Sequence, residues 1–103
     1  MANILTKDEI IERLEQKREA LPKYKVRQIG LFGSYVRNEQ RENSDIDFLV
    51  EFEKGVTLFD IIELENFLTQ LFGKKASVVS KNGLSKYLGP HILKEVEPIG
   101  KRL

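Results

Sequence analysis

The run Ile46–Phe52 (IDFLVEF) has period two, with Ile46, Phe48, Val50 and Phe52 on one side and Asp47, Leu49 and Glu51 on the other. Strict period two is the pattern of a β-strand with one face on an apolar core. A strand must pair along its edges and bury its apolar face, so the rest of the chain has to supply neighbouring strands and covering helices. The flanking sequence offers both. Thr6 and Glu9 have capping-box spacing, and Ile10, Ile11, Leu14 and Leu21 recur near helical period, which predicts an amphipathic helix over 7–20 stopped by Pro22. Val26–Phe32 (VRQIGLF) reads as a buried strand ending at Gly33, followed by a turn at Gly33-Ser34 and a short helix from Tyr35 to about Glu39. Asn38–Ser44 has no apolar residue and is expected to be a solvated connection. Leu58, Ile61, Ile62, Leu64, Leu68, Leu71 and Phe72 form a helical stripe capped at Gly73, and Ala76–Ser80 is a third strand candidate. Pro90 opens a last helix through about Val96, with Pro98 as its stop. The order α-β-α-β-α-β-α predicts an α/β (α+β) arrangement: a small mixed sheet flanked by helices in one domain spanning 1–103.

Composition narrows the function classes. The 103 residues carry 17 Lys+Arg, 16 Asp+Glu, one His and no Cys. The absence of cysteine excludes a disulfide framework, a zinc–thiolate site and a cysteine nucleophile. The start MANILTKDEI has neither a basic n-region nor a long apolar h-region, and no apolar run reaches membrane-spanning length, so a cytoplasmic protein is expected. A net charge of +1 gives no general argument for nucleic-acid binding. The local basic run Lys17, Arg18, Lys23, Lys25 and Arg27 is read as solvated surface, with contact to RNA or an acidic partner as the alternative.

The chemistry concentrates in Gly33-Ser34-x-x-Arg37, a polar gap, and Asp45-Ile46-Asp47. On a strand, Asp45 and Asp47 share a face with Cα atoms about 6.5–7 Å apart. Converging from there, they can hold one cation or bridge two, and hard oxygen ligands select Mg²⁺ or Mn²⁺. The plain reading is a solvent-facing pair, although Asp is depleted in strands. Gly33 lets a ligand approach the backbone, and a helix starting at Ser34 would offer N–H groups and a hydroxyl to an anion. Together these describe a triphosphate clamp.

LFGSYVRNEQRENSDIDFLVEF closely resembles the signature of the minimal nucleotidyltransferases of the DNA polymerase beta superfamily: Gly-Ser-x-Ala-Arg-Gly, a short polar gap, then Ser-Asp-x-Asp before an apolar strand. TLFDIIELENFLTQLFGKK and HILKEVEPI look like that family's central and final helices, so the likeness covers nearly the whole chain. The resemblance implies a nucleotidyltransferase fold with an NTP–Mg²⁺ site, in which Gly33 and Ser34 form the phosphate-binding turn. It makes Asp45 and Asp47 the catalytic metal ligands. Arg37 is assigned to steadying the loop or the phosphate, with an ion pair to a loop glutamate as the alternative. Asn38 replaces the family glycine, and Asn also visits left-handed backbone conformations. Such proteins are typically antitoxins paired with a HEPN-domain toxin, and some transfer AMP from ATP to a tyrosine of that toxin. ATP or another NTP and the toxin are thus the expected partners, and homo- or hetero-oligomers are compatible with the sequence.

One departure stands out. Family members that are active carry a third aspartate on the next strand, where this chain has Ser77. No Asp or Glu occurs between Asn66 and Lys94, so no local shift of the alignment restores it. The alternative function is therefore a weakened or inactive enzyme that neutralises its toxin by binding. Glu51, on the same strand face about 13 Å beyond Asp47, is read as surface rather than as a substitute ligand. His91, the sole histidine, is read as an exposed helix residue or partner contact.

Overall fold

A computed structural model describes residues 4–83 and 89–99, so the 1–103 span assigned from the sequence runs past the described residues at both ends. Helix α1 is Lys7–Gln16, and its capping box forms between Thr6 and Glu9. It ends four residues before the predicted limit. Residues 15–19 (EQKRE) offer nothing to continue the buried stripe of Ile10 and Leu14, and Pro22 disfavours α geometry at the residue before it. The chain tightens instead into a 3₁₀ segment, Arg18–Tyr24, which contains Pro22 and buries Leu21.

Strand β1 (Val26–Phe32) leads through Gly33 into helix α2, a single turn of Ser34–Arg37. Asn38 terminates α2 in the left-handed conformation (φ 59°), which Asn adopts more readily than most residues. Strand β2 is Ile46–Phe52, helix α3 is Leu58–Phe72, and strand β3 is Ala76–Ser80. Helix α3 starts at a second capping box, Thr57 with Asp60, and closes at Gly73 (φ 68°). Helix α4 is Gly89–Glu95.

A fourth strand, β4 (Glu97–Ile99), corrects the reading of Pro98 as a mere stop. Proline has no N–H to donate, yet an edge position tolerates it. The sheet order is β3-β2-β1-β4; β1 is antiparallel to both β2 and β4, and β2 is parallel to β3 through the α3 crossover. Pro98 pairs with Gly30 at the edge. Gly30 is what lets the last strand dock, because a Cβ there would stand 2.6 Å from Val96 Cγ2 and 3.2 Å from the Glu97 carbonyl oxygen.

The core lies on the face predicted by the alternation. Ile46, Phe48, Val50 and Phe52 meet Ile29 and Leu31 of β1, Ile10 and Leu14 of α1, and Leu64, Leu68 and Phe72 of α3. Strand β3 is the other edge, and α3 caps it: Thr69 Oγ1 accepts from the Ala76 N–H at 3.1 Å and Glu65 Oε2 from the Val78 N–H at 2.9 Å. Side chains thus satisfy an edge that would otherwise invite further strand pairing. The opening of α3 leaves Leu58, Phe59 and Ile62 facing solvent.

Candidate functional site

The site lies at the end of the sheet where β1 finishes while β2 and β3 begin. Antiparallel register places Phe32 opposite Asp47, and parallel register places Asp47 opposite Ser77. One row across three strands therefore carries Asp47 in the middle and Ser77 beside it, with Gly33 following Phe32. Gly33 has φ 84° and ψ −153°, a backbone region nearly closed to other residues. Space demands glycine as well. A Cβ on Gly33 would sit 3.2 Å from Cγ and 3.3 Å from Cβ of Asp47, and closer still to its carboxylate oxygen. The turn is therefore packed directly on the Asp47 side chain, and Ser34 follows as the first residue of α2. Its N–H and that of Tyr35, being in the first turn, have no acceptor within the helix.

Asp45 lies just before β2 and is exposed, whereas Asp47 is half-buried. Burial pushes the Asp47 carboxyl above the ordinary aspartate range. The negative charges of Asp45 and Glu95 push the same way and Arg37 opposes them. Below the pair, Tyr35 is buried in the core, and its hydroxyl has no hydrogen-bond partner among the described residues. Burial and the Asp45 charge both raise its pKa.

Arg37 turns toward glutamates. Its Nε donates to Glu39 Oε1 at 2.6 Å, and its Nη1 donates to Glu95 Oε1 at 2.6 Å. The other oxygen of Glu95 accepts the Gly33 N–H at 2.8 Å. Burial works to raise the Glu95 pKa, but the bonds from Arg37 and Gly33 outweigh it and hold the group below the usual glutamate value.

The donor set suits a cation that arrives with phosphate. Among the described residues no three His, Cys, Asp or Glu side chains are grouped to cage a metal. Two neighbouring carboxylates, one of them penalised by burial and by its partner's charge, fit Mg²⁺, which binds through one or two carboxylates and completes its shell with phosphate oxygens and water. Asp45 and Asp47 would hold it.

Sequence reasoning did not single out Glu95, since an acid at a helix end carries no local signal and only the docking of α4 and β4 brings it to Gly33. Glu51 lies farther along β2 with Arg27 at 3.8 Å and Lys81 at 3.4 Å, away from the aspartate pair. His91 is exposed on α4. The basic run is partly neutralised, with Arg27 on Glu51 and Lys25 Nζ 3.4 Å from Asp60.

A four-stranded mixed sheet with a Gly-Ser turn packed on a strand aspartate is the architecture of a nucleotidyltransferase. A family model described as nucleotidyltransferase domain matches residues 7–99. The chain belongs to that family, among its minimal members. It is 43% identical over 94 residues to the protein adenylyltransferase MntA of Thermococcus cleftensis, covering 90% of this chain and 95% of that one. Among solved structures it is similar to a chain of a toxin–antitoxin crystal structure with AMP-PNP (TM-score 0.71, 27% identity, 93% of this chain and 73% of that one). A chain from a Shewanella oneidensis complex of an MNT antitoxin with a tri-AMPylated HEPN toxin shares the fold, with TM-score 0.64 at 22% identity over 87% of this chain and 71% of that one.

Proposed function

We propose that this protein is a Mg²⁺-dependent protein adenylyltransferase acting as an antitoxin, with ATP as donor and a hydroxyl of a HEPN-domain toxin as acceptor. The observation that carries the reading is the packing of the Gly33-Ser34 turn against Asp47, which sets backbone N–H groups suited to phosphate beside a carboxylate suited to a metal. Likeness to an MntA adenylyltransferase along nine-tenths of the chain supports it. Exposed Leu58, Phe59 and Ile62 fit a protein that works in contact with another.

In the reaction, the acceptor oxygen attacks the α-phosphorus, a new P–O bond forms to AMP, and the bond to the β-phosphate bridging oxygen breaks to release pyrophosphate. Ser34 and the turn backbone hold the phosphates, and Asp45 and Asp47 hold the metal. The bound cation supplies neutralisation of the charge that develops on the phosphates. The acceptor hydroxyl must also lose its proton, which passes to solvent water when no carboxylate stands ready to take it. Ser77, opposite Asp47, adds a hydroxyl where a carboxylate would serve as base. Loss of general-base assistance slows such a step by about 10²–10⁴-fold.

That same neighbour favours a second reading, in which the chain binds nucleotide and toxin but transfers little or nothing. Incubation with labelled ATP, Mg²⁺ and the product of the adjacent gene, tested as the HEPN-domain acceptor, separates the two. Label that moves to the toxin and disappears with Asp47→Asn establishes the transferase. Neutralisation of the toxin without label, unchanged in Asp47→Asn, establishes the binding protein.

A further inference from the structure

We infer that Glu95 is a positioning residue of the nucleotide site: it sets the phosphate turn and aims Arg37 by bridging the Gly33 N–H and the Arg37 guanidinium with its two carboxylate oxygens. The inference rests on the nucleotide-binding reading given above.

The geometry is specific on both sides. One oxygen of Glu95 accepts from Gly33 at 2.8 Å and the other from Arg37 at 2.6 Å, and the side chain is only 16% exposed. Gly33 and Arg37 belong to the same turn, since the Gly33 carbonyl accepts the Val36 N–H at 3.0 Å and the Arg37 N–H at 3.2 Å. Glu95 therefore holds both ends of this one-turn unit. Its own place is fixed from behind. The next residue, Val96, lies against Gly30, and Glu97 pairs with Leu31 while making an ion pair with Lys7 at 3.0 Å. The residues that follow Glu95 thus tie it to the sheet through β4.

Asp47 presses on Gly33 from β2 while Glu95 pulls on its N–H from α4, so the peptide that leads into Ser34 is held from two directions. With Gly33 N–H and one face of Arg37 engaged by Glu95, the donors left to the nucleotide are Ser34, the backbone after it, and the remaining guanidinium edge. Arg37 reaches phosphate only in the orientation that Glu95 and Glu39 allow.

The deciding variant is Glu95→Asp, which keeps the charge but withdraws the carboxylate by one methylene, too short to reach both donors. The measurements are dissociation constants for Mg²⁺-ATP and for AMP on the full chain, with the Tm of the free protein alongside. The expected result is a loss of ATP affinity of about tenfold, the scale of one charge-assisted hydrogen bond, with AMP affinity and Tm close to wild type. Parallel losses of ATP affinity, AMP affinity and Tm would reduce Glu95 to a fold-stabilising contact and overturn the assignment. ATP bound more tightly in both Glu95→Asp and Glu95→Gln would also overturn it, making the carboxylate a competitor for the phosphate donors. Wild-type binding of ATP that Glu95→Asp leaves unchanged defeats the Glu95 assignment alone. A wild-type chain that binds neither nucleotide defeats the nucleotide-binding reading and removes the site Glu95 would serve.

Discussion

Gly33 and Asp47 occupy one space: the aspartate side chain fills the position that any side chain on residue 33 would take, with Cγ 3.2 Å from the missing Cβ. The Gly33-Ser34 turn and the carboxylate are therefore a single packed unit, although 13 residues separate them along the chain. Gly33→Ala must strain a φ of 84° and displace Asp47 as well. The expected loss is about 2 kcal/mol or more of unfolding free energy, read from urea denaturation. Mg²⁺-ATP binding by calorimetry should disappear, since the relocated carboxylate no longer lies against the turn.

Ser77 gives a test in the opposite direction. Ser77→Asp adds a carboxylate opposite Asp47, a group already held above its ordinary pKa by burial and by Asp45. Without divalent cation the variant should melt lower at neutral pH, by roughly 1 kcal/mol, because a third negative charge joins the row. With Mg²⁺ and ATP, transfer to the toxin should rise by about 10²–10⁴-fold over the natural chain, measured as incorporated label. A gain in stability without cation, or no gain in transfer, would show that Ser77 does not occupy the place of a missing base.

Gly30 governs how closely the last strand docks. Gly30→Ala sets a methyl against Val96 Cγ2 at 2.6 Å and the Glu97 carbonyl oxygen at 3.2 Å, neither of which is the end of a flexible side chain. A destabilisation of about 1–3 kcal/mol is expected. Faster amide hydrogen exchange should appear at Ile29 and Leu31, which pair with Ile99 and Glu97. Through β4 the same change loosens Glu95, so ATP affinity should fall with it.

Acid sensitivity should trace in part to the capping box of α3. Asp60 accepts from the Thr57 N–H at 2.9 Å and faces Lys25, and the bonds to Thr57 followed by the Lys25 charge hold its carboxyl below the ordinary aspartate value. A depressed folded-state pKa contributes stability that is present above the unfolded-state pKa and lost as pH falls through the folded one. Asp60→Asn should therefore lower the Tm at neutral pH. The gap to wild type should shrink as pH drops below the ordinary aspartate range and close once both chains lack the charge. A constant gap across that range would assign the effect to something other than the ionised carboxylate.

Most elements were legible because each has a local cause. The alternation of Ile46–Phe52 set a strand and its buried face, and the Thr6–Glu9 spacing set the start of α1. Asn38 at the place of a family glycine matched its left-handed φ of 59°. The limits of legibility were equally physical. Helix α1 stops at Gln16 because the apolar stripe gives out, which a count that includes Leu21 conceals. Strand β4 was hidden by Pro98, a residue whose cost vanishes only at an edge. Gly30, in the middle of a strand pattern, was the one sign that another backbone comes close.

By itself the sequence determined the first three strands, the Gly-Ser turn, the aspartate pair and the absence of a third carboxylate between Asn66 and Lys94, because each is a matter of residue type at short range. The tertiary structure decided what stands next to what. It set Ser77 opposite Asp47 through parallel pairing, packed Asp47 onto Gly33, and brought Glu95 across 62 residues to the same turn. These neighbours depend on register and on how the final helix and strand dock, and both are settled by burying the whole core at once rather than by any local segment.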